Sequence, residues 1–193
     1  MGSLRKTEKR VLIRESAARL FAEKGFEKTT TRDIANSAGI SNAALYYYFD
    51  SKEEILYQIL EETMSTGLQM ISELEESQIE LKERLSRILR THAASAVDFH
   101  KMKLLVHDLK YLDPIHMDAI KRKQRDYVKE LIAILQELKR KGEMKGLDPK
   151  VCAFAFFGMV SWAYRWYRPD GKIKPSKLGE IFAHIFTKGI LKD

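Results

Sequence analysis

One cysteine, Cys152, is all the thiol that 193 residues carry. A lone thiol excludes an internal disulfide and any cysteine-built metal cluster. No apolar run approaches the roughly 20 residues that a membrane helix needs, and no early stretch has the apolar core of a signal peptide. Cytoplasmic residence with no membrane partner is therefore expected. There is no phosphate-binding loop and no nucleophile, histidine and acid set with a local signature, so no enzyme and no cofactor is expected. Five ligand-type residues, His92, Asp98, His100, His107 and Asp108, lie near one another in the chain, but no histidines stand four apart; no metal site is expected. Acids are the scarcer charge: 27 Asp and Glu against 34 Lys and Arg leave a formal charge of +7. That balance permits nucleic-acid binding without establishing it.

What is present is helical periodicity almost throughout, so the fold class is all-α. Residues 8–23 carry Val11, Ile13, Ala17, Ala18, Leu20 and Phe21 on one side, and Gly25 ends that helix. Residues 30–52, TTRDIANSAGISNAALYYYFDSK, read as a helix, a glycine turn and a second short helix. Thr30 or Thr31 caps the first of these, because a side-chain oxygen accepts from an orphan amide of the first turn. Ile34, Ala35 and Ala38 give it one apolar face. Gly39 can take the left-handed conformation that stops a helix. Ser41 caps the next helix, with Leu45 and Phe49 on its buried side.

That layout is a helix-turn-helix, whose second helix enters the major groove of duplex DNA. Its open face would carry Asn42, Ala43, Ala44, Tyr46, Tyr47 and Tyr48. Asparagine can bond two edges of adenine, and alanine methyls can pack on thymine methyls. Tyrosine hydroxyls and Lys52 suit phosphate oxygens. Residues 1–9 are polar and basic and read as a frayed arm, with Arg5 and Lys6 near DNA phosphates or without a role.

The segment GISNAALYYYFDSKEEIL, with RESAARLFAEKGFEKTTTRDIANSAG before it, resembles the signature of the TetR family of bacterial transcriptional repressors. The resemblance covers roughly residues 11–60. It implies that Thr31 and Arg32 touch DNA at the start of the second helix. It implies that Ser41, Asn42, Ala43 and Ala44 form the base-facing start of the recognition helix, and that Tyr46, Tyr47, Tyr48 and Lys52 are its DNA-facing remainder. Many members have histidine where Tyr48 stands.

No glycine or proline marks a flexible linker after Lys52, and residues 53–73 continue as a long helix. The expected division is a DNA-binding domain over 1–52 and a helical ligand-binding and dimerisation domain over 53–193. In the second part, residues 81–99 read as one helix with Leu85, Ile88, Leu89, Ala93, Ala96 and Val97 inward. Residues 102–112 form a short apolar segment, and 117–141 a long basic helix containing KRKQR at 121–125. The most apolar stretch, 151–167, holds Trp162 and Trp166 and reads as a core or interface helix. A turn at 168–172 leads to a last helix over 176–191, apolar at Leu178, Ile181, Phe182, Ile185, Phe186 and Ile190. Two final helices this apolar suggest a homodimer through a four-helix interface, with Phe182 in the contact. The resemblance implies the same dimer, on an approximately palindromic double-stranded operator with heads about 34 Å apart.

The resemblance further implies a small-molecule effector that releases DNA. Its candidate lining is Phe99, Met102, His107, Tyr111, Tyr127, Trp162 and Trp166, with little sign of buried acids, which suits an elongated apolar molecule. The segment SWAYRWYRPDGKI also resembles the part of the family that responds to acyl-CoA thioesters; Arg165, Arg168 or the KRKQR run would then meet the CoA phosphates. Two alternatives stay open at this point: a helical adaptor whose motif binds protein, and a transcriptional activator.

Overall fold

The computed structural model describes residues 2–95, 98–168 and 170–192, and the side chains among them apart from those of residues 2–5 and Phe99. Ala96 and Val97, expected on an inward helix face, lie outside the described residues, as do the side chains of Phe99 and Arg5. Nine α-helices follow one another among the described residues: α1 Gly2–Lys24, α2 Thr31–Ser37, α3 Asn42–Tyr48, α4 Lys52–Glu76, α5 Leu81–Ser95, α6 Phe99–His107, α7 Pro114–Arg140, α8 Pro149–Ser161 and α9 Pro175–Ile190. Short 3-10 turns occupy Leu109–Tyr111 and Ala163–Arg165. No described helix is long and apolar enough to cross a membrane.

Three boundaries differ from expectation. The expected arm over residues 1–9 is helical from Gly2, as the first turns of α1. No proline or further glycine breaks residues 3–24, and its lysines, arginines, leucines and glutamates are good helix formers. The helix expected over 81–99 ends at Ser95, and a separate helix, α6, begins at Phe99. The stretch 151–167 ends its α-helix at Ser161, where the chain tightens into a 3-10 turn.

The chain forms two compact units, Met1–Met64 with Phe99–Lys121 and Ser65–Asp98 with Arg122–Asp193. The unit that holds the helix-turn-helix thus extends past residue 52. In it, Ile13, Ala17 and Phe21 of α1, Ile34 and Ala35 of α2, Leu45 of α3 and Ile55, Leu56 and Ile59 of α4 are buried together with Leu104 of α6. Polar ties hold α6 to α1: Lys101 Nζ lies 2.8 Å from Glu15 Oε1, and Lys103 Nζ donates to the Ala22 carbonyl at 2.5 Å. Tyr111 stacks on Phe26 with ring centres 4.6 Å apart.

In the second unit α5 packs closely on α9. The contact needs Gly179, because a Cβ there would run into the Arg90 carbonyl and stand 3.3 Å from Ala94 Cβ. Leu178, Phe182, Phe186 and Ile190 of α9 are buried, along with Leu85, Ile88 and Leu89 of α5, Leu131, Leu135 and Leu138 of α7 and Phe156 of α8. Phe182 therefore belongs to the core, 8% exposed and 6.3 Å from Trp166 between ring centres. The free apolar side chain of this helix is Ile185, 55% exposed. On α8, Val151 and Phe154 are likewise exposed.

Candidate nucleic-acid interface and effector region

The two helices of the motif are set by local chemistry. Thr30 caps α2: its Oγ1 accepts from Asp33 N at 3.1 Å, and Asp33 Oδ2 accepts from Thr30 N at 2.9 Å. This reciprocal box satisfies two orphan amides. The Thr30 N–H, then its hydroxyl, holds the Asp33 carboxyl below the ordinary carboxylate range. Gly39 has φ +63°, and after it Ile40 N donates to the Ala35 carbonyl at 3.0 Å. A residue with a β-carbon is strained in that conformation. Ser41 caps α3, its Oγ accepting from Ala44 N at 3.0 Å.

Supports from outside the motif fix its second helix. Arg10 Nη1 donates to the Tyr48 carbonyl at 2.5 Å, at the C-terminal end of α3, and its guanidinium lies 4.2 Å from the Phe49 ring centre. A cation at a helix C-terminus meets the negative end of the helix dipole. Arg14 grips Glu62 with two bonds of 3.0 Å, tying α1 to α4. The buried Thr29 hydroxyl donates to the Gly25 carbonyl at 2.8 Å, holding the turn between α1 and α2.

On the open side, Tyr46 is 50% and Tyr47 69% exposed, while Tyr48 is half-buried. Thr31 Oγ1 and Tyr46 Oη hydrogen-bond at 3.3 Å, so α2 and α3 present one continuous face. Arg32, Ser41 and Ala43 are exposed on the same two helices, and Ala44 is half-buried. Lys6 Nζ stands 5.0 Å from the Tyr47 ring centre. Two expected contacts sit differently. Asn42 is half-buried, and its Oδ1 is enclosed without a hydrogen-bond partner; bidentate reading of adenine needs that oxygen turned outward. Lys52 is turned into its own unit, where Nζ donates to the Phe26, Thr29 and Glu27 carbonyls at 3.0, 3.3 and 3.4 Å. A phosphate contact would need it to release one of them.

The expected effector lining divides between the two units. Met102, His107 and Tyr111, with Phe99, belong to the first; Tyr127, Trp162 and Trp166 belong to the second. Tyr111 is committed to its stack on Phe26. His107 is exposed, as are both tryptophans, Trp162 at 57% with the Arg165 guanidinium 4.6 Å from its ring centre. Among those whose side chains are described, only Tyr127 is buried. Its hydroxyl meets His92 Nδ1 at 2.9 Å inside an aromatic cluster, where the imidazole lies 5.6 Å from Phe156 and 5.3 Å from Phe157 between ring centres. Burial pushes the imidazole down to about 4 and the phenol up. His92 was not among the expected lining, although it falls on the same helical stripe as Leu85, Ile88 and Leu89.

Known proteins agree with this arrangement. Residues 13–59 match the model of the bacterial regulatory proteins, tetR family, and residues 78–190 match the tetracyclin repressor-like C-terminal domain. The HTH-type transcriptional repressor KstR2 of Rhodococcus jostii is 27% identical over 194 residues, covering 96% of this chain and 92% of the relative. The structure of the ketosteroid transcriptional regulator KstR2 of Mycobacterium tuberculosis superposes with a TM-score of 0.86 at 26% identity, covering 95% of each chain. The crystal structure of AibR in complex with isovaleryl coenzyme A and operator DNA superposes with a TM-score of 0.78 at 26% identity, covering 92% of this chain and 97% of that one.

Proposed function

The chain belongs to the TetR family of bacterial regulatory proteins and is a ligand-responsive DNA-binding repressor; we propose that it grips a palindromic operator as a homodimer and is released by an acyl-CoA. The observation that carries the DNA reading is the continuous face of α2 and α3, with Thr31 bonded to Tyr46 and Tyr47 standing clear of the fold. In this reading Thr31, Arg32 and Tyr47 meet phosphates and Ala43 and Ala44 meet base edges, with Asn42 reading a base once its amide turns outward. Ser41, Tyr46 and Tyr48 complete the face, and Lys52 joins it by giving up one carbonyl.

The dimer is proposed on the exposed apolar residues of α8 and α9, chiefly Val151, Phe154 and Ile185, with Trp162 beside them. Small neighbours, Ala155 and Gly158, are exposed among them and allow close approach. Twofold pairing would bury this face and set two recognition helices about one DNA turn apart. The acyl-CoA reading is supported by AibR, whose complex holds isovaleryl coenzyme A, and by exposed cations of the second unit, Arg122, Arg125, Arg165 and Arg168, suited to the CoA phosphates. The effector releases DNA only by binding the DNA-incompetent conformation more tightly than the competent one. The helix α4, which runs unbroken from one unit into the other, is the rigid element that such a change would move. Catalysis has no part in this reading, and a place in the cytoplasm goes with it.

The test is selection of genomic fragments bound in vitro, followed by anisotropy titration of the selected duplex. A palindromic site, bound by two chains with a steep salt dependence and released by an acyl-CoA, supports the proposal. Binding that ignores salt and sequence would instead favour a protein adaptor.

A further inference from the structure

Arg10 stands on the inward side of α1, three residues before Ile13 and seven before Ala17, on the stripe that is otherwise apolar and buried. There it meets the C-terminal end of α3. That helix has seven residues and no basic residue in its last turn. It is shorter than the roughly 12–15 residues at which a helix holds itself in water, so anchors from elsewhere set its direction. Leu45 and Phe49, both buried, hold its inner side, and the Ser41 cap holds its start. Its far end rests on Arg10, whose Nη1 donates to the Tyr48 carbonyl at 2.5 Å.

The same guanidinium makes two further contacts. It lies 4.2 Å from the Phe49 ring centre, and its Nη2 stands 3.9 Å from Glu54 Oε1. Glu54 Oε2 in turn accepts from Asp50 N at 2.6 Å, and Glu54 N donates to Ser51 Oγ at 3.0 Å. The corner from Tyr48 to Glu54, where α3 passes into α4, thus closes around one side chain of α1. A planar fork can meet the carbonyl, the ring and the carboxylate together; a lysine ammonium is a point charge and cannot. The consequence is geometric. Seven residues span about 10 Å, so a tilt of about 10° moves either end of α3 by about 1 Å. A binding geometry built on directed contacts tolerates about 0.5 Å.

We propose that Arg10 is the positioning residue of operator recognition: it touches no DNA, and it fixes the angle at which α3 presents Ala43, Ala44 and Tyr47 to the duplex. This rests on the reading of α3 as the recognition helix given above. Arg10 then serves discrimination between the operator and other DNA, not the general attraction between cation and phosphate.

The experiment measures, by anisotropy, how the native protein, Arg10→Met and Arg10→Lys bind the selected operator and a scrambled duplex of equal length, between about 50 and 200 mM salt. Methionine keeps an apolar stem over Phe49 but offers no donor. Arg10→Met is expected to lower the operator-to-scrambled affinity ratio roughly tenfold, the scale of one mismatched base pair, with the slope of log K against log salt unchanged. Arg10→Lys can restore the bond to the carbonyl but not the plane over Phe49, and its ratio should fall roughly threefold. A slope reduced by about 2 in Arg10→Met, one cation from each subunit of a dimer, overturns the inference, because Arg10 then meets phosphate itself. A native ratio in Arg10→Met with only a lower melting temperature overturns it as well, because the residue is then a brace for the fold alone. Should Arg10→Met not fold, Arg10→Lys decides, and a native ratio there overturns the inference. Tyr47→Phe is the control on the underlying reading. If it leaves operator binding unchanged, the assignment of α3 fails and this inference with it; if it weakens operator binding while both Arg10 variants keep the native ratio, this inference alone fails.

Discussion

Replacing Tyr47 by phenylalanine removes one hydroxyl and leaves the rest of the recognition helix in place. The ring is 69% exposed, meets the edge of Tyr48 at 5.1 Å and carries the Lys6 ammonium at 5.0 Å. Both contacts survive in phenylalanine, so folding stability should move by less than about 0.5 kcal/mol. In the proposed complex the lost bond is to a charged phosphate, worth about 1.5–3 kcal/mol net, and wide exposure puts it at the low end. A dimer loses it twice, so operator binding should weaken by about 3 kcal/mol, a little over 100-fold in Kd. Tyrosine carries no charge, so the salt dependence should not change. Arg32→Ala is the contrast: it removes one cation per subunit, and the slope of log K against log salt should fall by about 2 for the dimer. Anisotropy of the selected operator between about 50 and 200 mM salt reads both quantities. Unchanged Kd for Tyr47→Phe together with an unchanged slope for Arg32→Ala would place the DNA on some other face.

Ile185→Glu should leave a folded monomer, since it puts a charge on a side chain that is free in the single chain but covered in the proposed pair; sedimentation showing an intact dimer would remove that interface. Phe182→Glu should instead lower the melting temperature sharply, because it buries the charge in the core of one chain. Gly179→Ala should cost about 1–3 kcal/mol in urea unfolding, the range for overpacking a tight contact, as its Cβ drives α9 off the Arg90 carbonyl; an unmoved midpoint would contradict the α5–α9 contact. Stability should also fall with acid through His92. Its folded pKa is about 4, against an ordinary value of 6.5, so the unfolded chain binds the proton first. Full stability is expected above about pH 6.5, with about 3 kcal/mol lost on the way down to pH 4. His92→Phe should remove that slope over the window, and an equal slope in the variant would show that another group causes it.

The motif was legible because its determinants are local. Thr30 and Asp33 are three residues apart, as are Ser41 and Ala44, and Gly39 sits where the turn needs a positive φ. A reader of the chain needs no tertiary information to place α2 and α3. The supports of the same motif are different in kind. Lys52 meets carbonyls 23 to 26 residues earlier, and Arg10 meets a carbonyl 38 residues later. Long cationic side chains near a helix pair look alike in sequence whether they face phosphate or cap a neighbouring loop. The packing of α6 on α1, through Lys101 and Lys103, links residues more than 80 positions apart. A division at residue 52 could not anticipate it.

The last helix shows where periodicity runs out of information. Leu178, Phe182, Phe186 and Ile190 recur every four residues and are buried; Ile181 and Ile185 recur at the same interval one residue earlier and are not. The first stripe holds four large apolar side chains, whereas Lys177 and Gly189 flank the second, yet Ile181 and Ile185 are apolar enough to belong to an interface as well. The answer lies in Gly179, whose missing side chain lets α5 approach on the Phe182 side. The same logic applies to His92. It stands on the stripe of Leu85, Ile88 and Leu89, so helical phase already committed an ionisable ring to the interior. The half-buried imidazole finds its partner in Tyr127, on the inward stripe of α7 with Ile120, Leu131 and Ile134. Phase predicts that each ring is inside; only the packing of α5 on α7 brings the two together.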